Sequence, residues 1–436
     1  MKKHCPRRSA VRRPSLDSTA PARHSAALSV PPEPSRPSQH IAPGSAAFLR
    51  TNLSLFAAGF ATFALLYTVQ PLLPVFSARF HVSPAASSLS LSLTTATLAI
   101  FMLIASALSE SFGRKPVMAA SLFASALLQL VSAALPHWWE LLAVRALMGV
   151  TLSGLPAVAM AYVAEEIDPR AMGLAMGLYV GGSGFGGMSG RLLAGLFADF
   201  CGWRMAVAMI AALGIACGLL FAAFLPPSRN FHRRVLALDP LLGAYRGHLA
   251  DPGLPWLFAE GFLLMGGFVT IYNYIGYRLL APPFSLSQAE VGLIFTVYLA
   301  GILGSAWMGH LAAQVGRARI FRAALMIDLA GMVLTLSHDL GFVILGVAVL
   351  TFGFFAAHSI ASSWVGIRAR HSRAQASALY LLLYYLGSSL VGSAGGFFWV
   401  EWRWPGVVGL TGGLIVLALL AARRLKEILT PGISEC

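Results

Sequence analysis

From residue 52 onward the chain consists of long apolar runs separated by short polar clusters. Twelve such runs can be marked, at 52–76, 89–109, 117–136, 140–163, 171–198 and 204–225, then 255–279, 289–311, 318–336, 341–364, 374–399 and 405–424. Each is near the ~20 residues that an α-helix needs to cross a bilayer. Tilted β-barrel strands are shorter and alternate apolar with polar positions, so they do not fit. The pattern predicts an all-α membrane protein with twelve transmembrane helices in two six-helix halves, 48–225 and 253–426, joined by a polar loop over 226–252.

One polar cluster occurs twice. Leu108-Ser-Glu-Ser-Phe-Gly113-Arg114-Lys115 follows the second run, and Leu311-Ala-Ala-Gln-Val-Gly316-Arg317-Ala-Arg319 follows the eighth. Leu, Gly and Arg keep their spacing, and Ser106-Ala107 and Ser305-Ala306 lead in. The same loop at the same place in each half implies an internal duplication. Glycine at Gly113 and Gly316 allows a tight exit from a helix.

Composition agrees with the hydropathy pattern. The chain is 57% hydrophobic and 11% charged, with a mean hydropathy of +0.73. Soluble domains carry roughly 25% charged residues, so much of this surface must face lipid. The net charge of +14 does not imply nucleic acid, because the positive residues lie in the N-terminal tail and in alternate loops. Those loops hold Arg114 and Lys115, Arg170, Arg229 to Arg246, Arg317 to Arg322, Arg368 to Arg373 and Arg423 to Lys426. The opposite side has Arg79, Arg204, Arg278 and Arg403. By the positive-inside rule both termini are expected in the cytoplasm. Residues 1–47, rich in Pro, Ser and Arg, read as a disordered basic cytoplasmic tail with no secretory h-region, and 427–436 as a C-terminal tail.

Enzyme signatures are missing. The cysteines Cys5, Cys201, Cys217 and Cys436 have neither disulfide-framework nor zinc-site spacing. No Walker sequence, G-x-S-x-G or metal cluster is present, so an enzyme, an ATP-driven pump and a cofactor are not expected. Gly182 to Gly187 matches G-x-G-x-x-G formally but lies inside an apolar helical run with no strand before it. Gly182, Gly186 and Gly190 instead form a small-residue ridge that lets helices approach closely. Gly301, Ser305 and Gly309 form a second ridge, and Ser388, Gly392 and Gly396 a third. These ridges read either as the sliding contacts of a moving bundle or as static packing.

The repeated loop, the six-plus-six pattern and the long central linker together resemble the major facilitator superfamily. The first loop looks like that family's motif A, with Ser106 in place of the usual Gly, Glu110 for Asp and Ser111 for Arg; the second copy has Ala313 at the acidic position. Arg145-Ala-Leu-Met-Gly149 resembles motif B. Gly177, Gly181, Gly182, Gly186, Gly187 and Gly190 resemble the span-5 antiporter motif, with Met188 for its proline. The stretches 61–71, 187–192, 258–266 and 354–359 resemble the YnfM-type inner-membrane transporters of the sugar-efflux and drug:proton antiporter branch. The likeness covers about residues 48–425. It implies a monomeric, bacterial inner-membrane transporter that alternates between inward- and outward-open states, with protons as coupling ion. It also implies a gating role for the loops, Gly113, Arg114, Lys115, Gly316 and Arg317, with Glu110 as latch.

Charges inside apolar runs are costly and so mark candidate sites. Arg145 is expected to serve substrate or proton coupling, or else to snorkel to the interface. Arg191 is expected to do the same, or to pair with Asp199. Glu260 and Asp328 are candidate proton carriers, with Glu260 preferred and Asp328 open to a structural pairing; His358 reads as a packing residue. Glu110 is expected to pair with Arg114 or with a cation of a neighbouring loop. Tyr67 and Gln70 on the first run are expected to line the cavity. Tyr272, Asn273 and Tyr277 on the seventh and Tyr380 and Tyr384 on the eleventh join them. With Gln70 where many cation exporters carry an acid, the cavity suits a small neutral, amphipathic or anionic solute. The leading expectation is proton-coupled efflux. Alternatives are a facilitator or importer of a metabolite or sugar, and a non-transporting receptor or scaffold.

Overall fold

The computed structural model describes residues 40–231 and 238–429, so most of the expected N-terminal tail and the residues after 429 lie outside it. The N-terminal half holds α1 (Ala46–Tyr67), α2 (Leu73–Phe80), α3 (Pro84–Phe112), α4 (Arg114–Ala134), α5 (Trp138–Leu152), α6 (Pro156–Glu166) and α7 (Met172–Phe224). The C-terminal half holds α8 (Leu238–Ala250), α9 (Leu254–Leu280), α10 (Gln288–Ile294), α11 (Tyr298–Val315), α12 (Arg317–Leu334), α13 (Leu340–Arg368) and α14 (Arg373–Leu429). Helix α8 lies within the segment expected to be a loop.

Local chemistry sets the boundaries. Ser45, Ser83, Ser287 and Asp339 cap α1, α3, α10 and α13 by accepting hydrogen bonds from early backbone N–H groups. Pro71 and Pro74 end α1 and force a short 3₁₀ turn, Gln70–Leu72, before α2. Pro156 stops the fourth apolar run from being one helix, and residues 153–155 break it into α5 and α6. Gly113 (φ 95°) and Gly316 (φ 106°) each turn the chain within one residue, from α3 to α4 and from α11 to α12. Inside α7 the backbone kinks at Gly202, and inside α14 at Arg403.

Eight stretches among the described residues are long and apolar enough to cross a membrane: Ala46–Phe80, Pro84–Phe112, Arg114–Ala134, Met172–Phe224, Leu254–Leu280, Gln288–Val315, Leu340–Arg368 and Arg373–Leu425. The α5–α6 pair falls short because it is broken. In α12, Arg317, Arg319, Arg322 and Asp328 lower the hydropathy of an 18-residue helix.

The glycine ridges separate by function. Gly182, Gly186 and Gly190 of α7 press on the backbone of Phe56, Phe60 and Ala64 of α1, and a Cβ on Gly190 would lie 2.6 Å from Ala64 Cα. Gly387 of α14 meets Phe262 of α9 in the same way, so the two halves repeat one helix pairing. Gly301 packs on Phe355 of α13. These contacts lie within a half, which favours static packing over the sliding role. Two others cross between the halves. A Cβ on Gly195 would lie 2.9 Å from Gly292 Cα, and Gly396 abuts the backbone of Ala85.

Gly190→Leu should lower stability by about 1–3 kcal/mol or more, because backbone atoms of α1 block the added side chain. Gly177→Ala, whose Cβ would meet nothing within 4 Å, should be neutral or mildly stabilising. Thermal unfolding in detergent micelles checks both.

Candidate functional site

Arg145 is fully buried in α5, which removes the snorkelling alternative. Its Nε donates to Ser90 O at 2.8 Å and its Nη2 to Leu66 O at 2.8 Å. Nη1 faces Leu65 O, Gln129 Oε1 and Met148 Sδ at 3.2–3.4 Å. Leu65 and Leu66 lie in the last turn of α1, where carbonyls lack intrahelical partners. Arg145 supplies those partners. Its donors are taken up by the protein itself, so in this arrangement it positions the broken first helix and does not face a solute.

Just beyond that break, Arg191 of α7 is 1% exposed. Nε donates to Gln70 Oε1 at 2.5 Å and Nη1 to Gly187 O at 2.7 Å. The guanidinium lies 3.8 Å from the Tyr67 ring centroid, 4.8 Å from Tyr298 and 5.5 Å from Phe295. No carboxylate is within ion-pair distance among the described residues, and Asp199 is exposed and pairs with nothing there. The expected Arg191–Asp199 alternative therefore gives way to an aromatic enclosure.

From Gln70 the chain of bonds crosses between the halves: Gln70 Nε2 donates to Asn273 Oδ1 at 2.7 Å. Further polar links join the halves at the same end of the bundle. Ser77 meets the Tyr277 hydroxyl at 2.6 Å, and that hydroxyl donates to Leu73 O at 2.9 Å. Thr95 meets Ser389 at 2.7 Å, and Ser393 donates to Ser92 at 2.9 Å. Tyr277 thus belongs to the seam and not to the centre. Tyr272 bonds to Thr351 at 2.7 Å within the C-terminal half.

A second buried cluster lies toward the other end. Glu260 is fully buried, and neither of its carboxyl oxygens has a hydrogen-bond partner among the described residues. Tyr380 adjoins it electrostatically and shares a 2.9 Å hydrogen bond with His358 Nδ1. Tyr384 lies against His358, ring centroids 4.6 Å apart. Asp328 of α12 is equally buried and unpartnered, so no structural pairing for it exists among the described residues.

The repeated loops differ from the expected latch. Arg114 pairs with Glu165 at the end of α6, by Nη2 to Oε1 at 2.7 Å and Nε to Oε2 at 3.2 Å, and with Ser109 Oγ at 2.5 Å. Glu110 has no ion pair or hydrogen bond among the described residues. The reason is geometric: Gly113 aims Arg114 back toward α6. Lys115 Nζ donates to Leu225 O at 2.5 Å. Glu166, beside Glu165, accepts the backbone N–H groups of Arg229 and Asn230 at 2.8 Å each. Its main-chain O accepts from Ile41 N at 2.7 Å, so the chain is ordered from before α1. In the second copy, Gly316 turns the chain and Arg317 has no acidic partner among the described residues.

In the C-terminal half the ion pair sits before α9. Asp251 Oδ1 accepts from Arg368 Nε at 2.5 Å and from the N–H groups of Gly253 and Leu254 at 2.8 Å each. Burial pushes the Asp251 carboxyl up, but the Arg368 and backbone bonds outweigh it and hold the carboxyl below its ordinary range. No group of three or more His, Cys, Asp or Glu among the described residues is placed to hold a metal ion.

Sequence reasoning missed Glu165, Tyr298, Phe295 and Asp251. Paired acids at a span end, facing a lone Arg-Lys loop, were the available signal for Glu165. Tyr298 and Phe295 are hidden among the other aromatics of an apolar run.

Residues 55–281 match the sequence profile of the Major Facilitator Superfamily. The chain is 46% identical over 380 residues to the MFS-type transporter YybF of Bacillus subtilis (strain 168), covering 87% of this chain and 94% of that one. It is 47% identical over 393 residues to the inner membrane transport protein YnfM of Escherichia coli (strain K12), covering 90% and 94%. Among solved structures it resembles a bacterial homolog of the human lysosomal transporter Spinster, with TM-score 0.70, 14% identity and coverage of 88% and 98%. It also resembles a variant of the nucleoside transporter NupG, with TM-score 0.70, 15% identity and coverage of 86% and 99%. At such identities these last two likenesses concern the fold alone.

Glu165→Gln should cost about 1–3 kcal/mol, because it takes away the charged acceptor of a mostly buried guanidinium. Glu110→Gln should stay within about 0.5 kcal/mol. Thermal unfolding of the two variants separates these outcomes. Asp251 gives a pH test. A carboxyl held below its ordinary value stabilises the fold above the unfolded pKa of about 3.9, and that contribution fades as pH falls through the folded value. Asp251→Asn should therefore lower the melting temperature near neutral pH, and the gap from wild type should narrow as acidification protonates the folded carboxyl.

Proposed function

The chain belongs to the major facilitator superfamily of membrane transporters, a class that is not enzymatic, and from that premise we propose that it exports a small solute across the bacterial inner membrane by proton-coupled alternating access. In this reading the eight apolar stretches become twelve spans when α7 and α14 are divided at their kinks and α5–α6 and α12 are added. The Gly113 and Gly316 loops, with their basic residues, face the cytoplasm together with both termini. The end where the halves are bonded together then faces outward.

The observation that carries this reading is the seam. Gln70–Asn273, Thr95–Ser389, Ser92–Ser393 and Ser77–Tyr277 join the halves through short polar bonds and close glycine contacts. Such bonds can be exchanged for water at little net cost, unlike interdigitated apolar side chains. At the basic end, the ion pairs Arg114–Glu165 and Asp251–Arg368 each lie inside one half. They brace each half without tying it to the other. Rocking about the central layer would open one end and close the other.

Glu260 is the residue we assign to proton coupling. A lone carboxyl in an apolar wall takes up and releases a proton as water reaches it from alternating sides. Tyr380 stands next to it and is hydrogen-bonded to His358, so a water or a small shift that joins Glu260 to Tyr380 would open a route for the proton toward the centre. The outward direction draws on the span-5 glycine pattern, and the solute class remains a neutral, amphipathic or anionic small molecule.

Tyr384→Cys should react with a membrane-impermeant maleimide from either face, with the favoured face changing as the pH gradient is reversed. Labelling confined to one face under every gradient would sink alternating access. For solutes found by thermal stabilisation of the purified protein, uptake into acid-loaded everted vesicles should be abolished by a protonophore. It should fall at least tenfold in Glu260→Gln, whereas Asp328→Asn should keep its protonophore sensitivity. Uptake that ignores the protonophore would leave a facilitator.

A further inference from the structure

The central layer holds a buried positive charge with no negative partner among the described residues. Arg191 has five N–H donors. Nε and Nη1 are engaged by Gln70 and Gly187, and the remaining hydrogen-bonding neighbours of the guanidinium are the hydroxyls of Tyr67 and Tyr298. The hydroxyls of Tyr67 and Tyr298 face the same guanidinium from two sides. Tyr384, from α14, lies within electrostatic reach of both, and its hydroxyl has no hydrogen bond among the described residues. The amides do not relieve the imbalance. Gln70 spends its oxygen on Arg191 and its N–H on Asn273, so the polar chain carries donors in one direction across the seam.

Contrast with Arg145 makes the point sharper. Both arginines are buried in the same half. Arg145 is wrapped by main-chain carbonyls and Gln129, whereas Arg191 is wrapped by aromatic faces. Ring faces stabilise a cation but do not neutralise it. A buried guanidinium bonded only to neutral oxygens, with exchangeable phenol hydroxyls at its edge, is suited to a planar oxyanion, which it binds in a two-pronged manner. The ring faces of Tyr67, Phe295 and Tyr298 suit a flat apolar body next to that anion.

We infer that Arg191, with the hydroxyls of Tyr67, Tyr298 and Tyr384, recognises a singly charged organic carboxylate that has a flat apolar body. The inference rests on the transport reading above and narrows its solute class. One unpaired arginine sets one negative charge. The residues come from both halves, with Arg191 and Tyr67 on one side and Tyr298 and Tyr384 on the other, so the bound anion bridges the parts that move. The same position explains why the seam tolerates a lone cation: it is the charge that the solute completes.

The test uses the full chain purified in detergent and three probes that share one ring system: 2-naphthoate, 2-naphthamide and 2-naphthylmethylammonium. Binding is read by calorimetry and by melting-temperature shift. The carboxylate is expected to bind at least tenfold more tightly than the amide, and the ammonium is expected not to bind. Arg191→Gln should reduce carboxylate binding to the level of the amide, and Arg191→Lys should keep the preference in weakened form. If Arg191→Gln does not fold, Tyr298→Phe and Tyr67→Phe serve instead; each should weaken the carboxylate severalfold and leave the amide unchanged. A wild-type chain that binds the amide or ammonium as tightly as the carboxylate, or binds none of the three, overturns the inference. Labelling of Tyr384→Cys from the two faces is run alongside. Alternating labelling without carboxylate preference would remove the anion site and leave the transporter reading intact. Carboxylate preference without alternating labelling would do the reverse.

Discussion

A helix that breaks inside a bilayer leaves carbonyl groups with no water to bond, and much of the central layer follows from how this chain meets that constraint. The first apolar run breaks after Tyr67 because Pro71 and Pro74 cannot continue it. Arg145, reaching over from α5, bonds the carbonyls of Leu65 and Leu66 and anchors on Ser90 of α3. One side chain thereby ties three helices at the break. With that end fixed, Tyr67 stacks on Arg191 and Gln70 bonds it, and Gln70 then reaches Asn273 in the other half. If Arg145 were removed, the geometry of Gln70 and with it the Gln70–Asn273 link across the seam would be the first loss.

Two kinds of contact share the work of holding the bundle. Inside each half, glycines let helix backbones touch, as with Gly186 against Phe60 and Gly387 against Phe262. Such contacts are rigid, since neither backbone can yield. Between the halves, the contacts include hydroxyls, amides and two small-residue approaches. The distribution puts backbone-to-backbone contacts inside the halves and gathers polar groups of the seam around the aromatic centre.

Much of this was legible in the sequence. The apolar runs gave the helices, and the repeated Gly-Arg loop marked the duplication. The rarity of charge in those runs singled out Arg145, Arg191, Glu260 and Asp328. What stayed hidden was partnership. Arg114 finds Glu165 and not the nearer Glu110, because a positive-φ glycine reverses the chain between them and hydropathy carries no such direction. The different fates of Arg145 and Arg191 were equally hidden, because an arginine among carbonyls and one among rings look alike in one dimension. The break before Pro156 was not read, because the run around it is apolar enough to pass for a single helix.

The linker between the halves is belayed at both ends. On one side Glu166 grips the backbone of Arg229 and Asn230, and on the other His248 holds Ser372 while Asp251 holds Arg368. Each hold stays within one half, so the chain is fastened to the N-terminal half as it leaves it and to the C-terminal half as it enters it. Both fastenings lie on the basic side, away from the polar bonds that join the halves, so the covalent and the non-covalent links between the halves are kept apart.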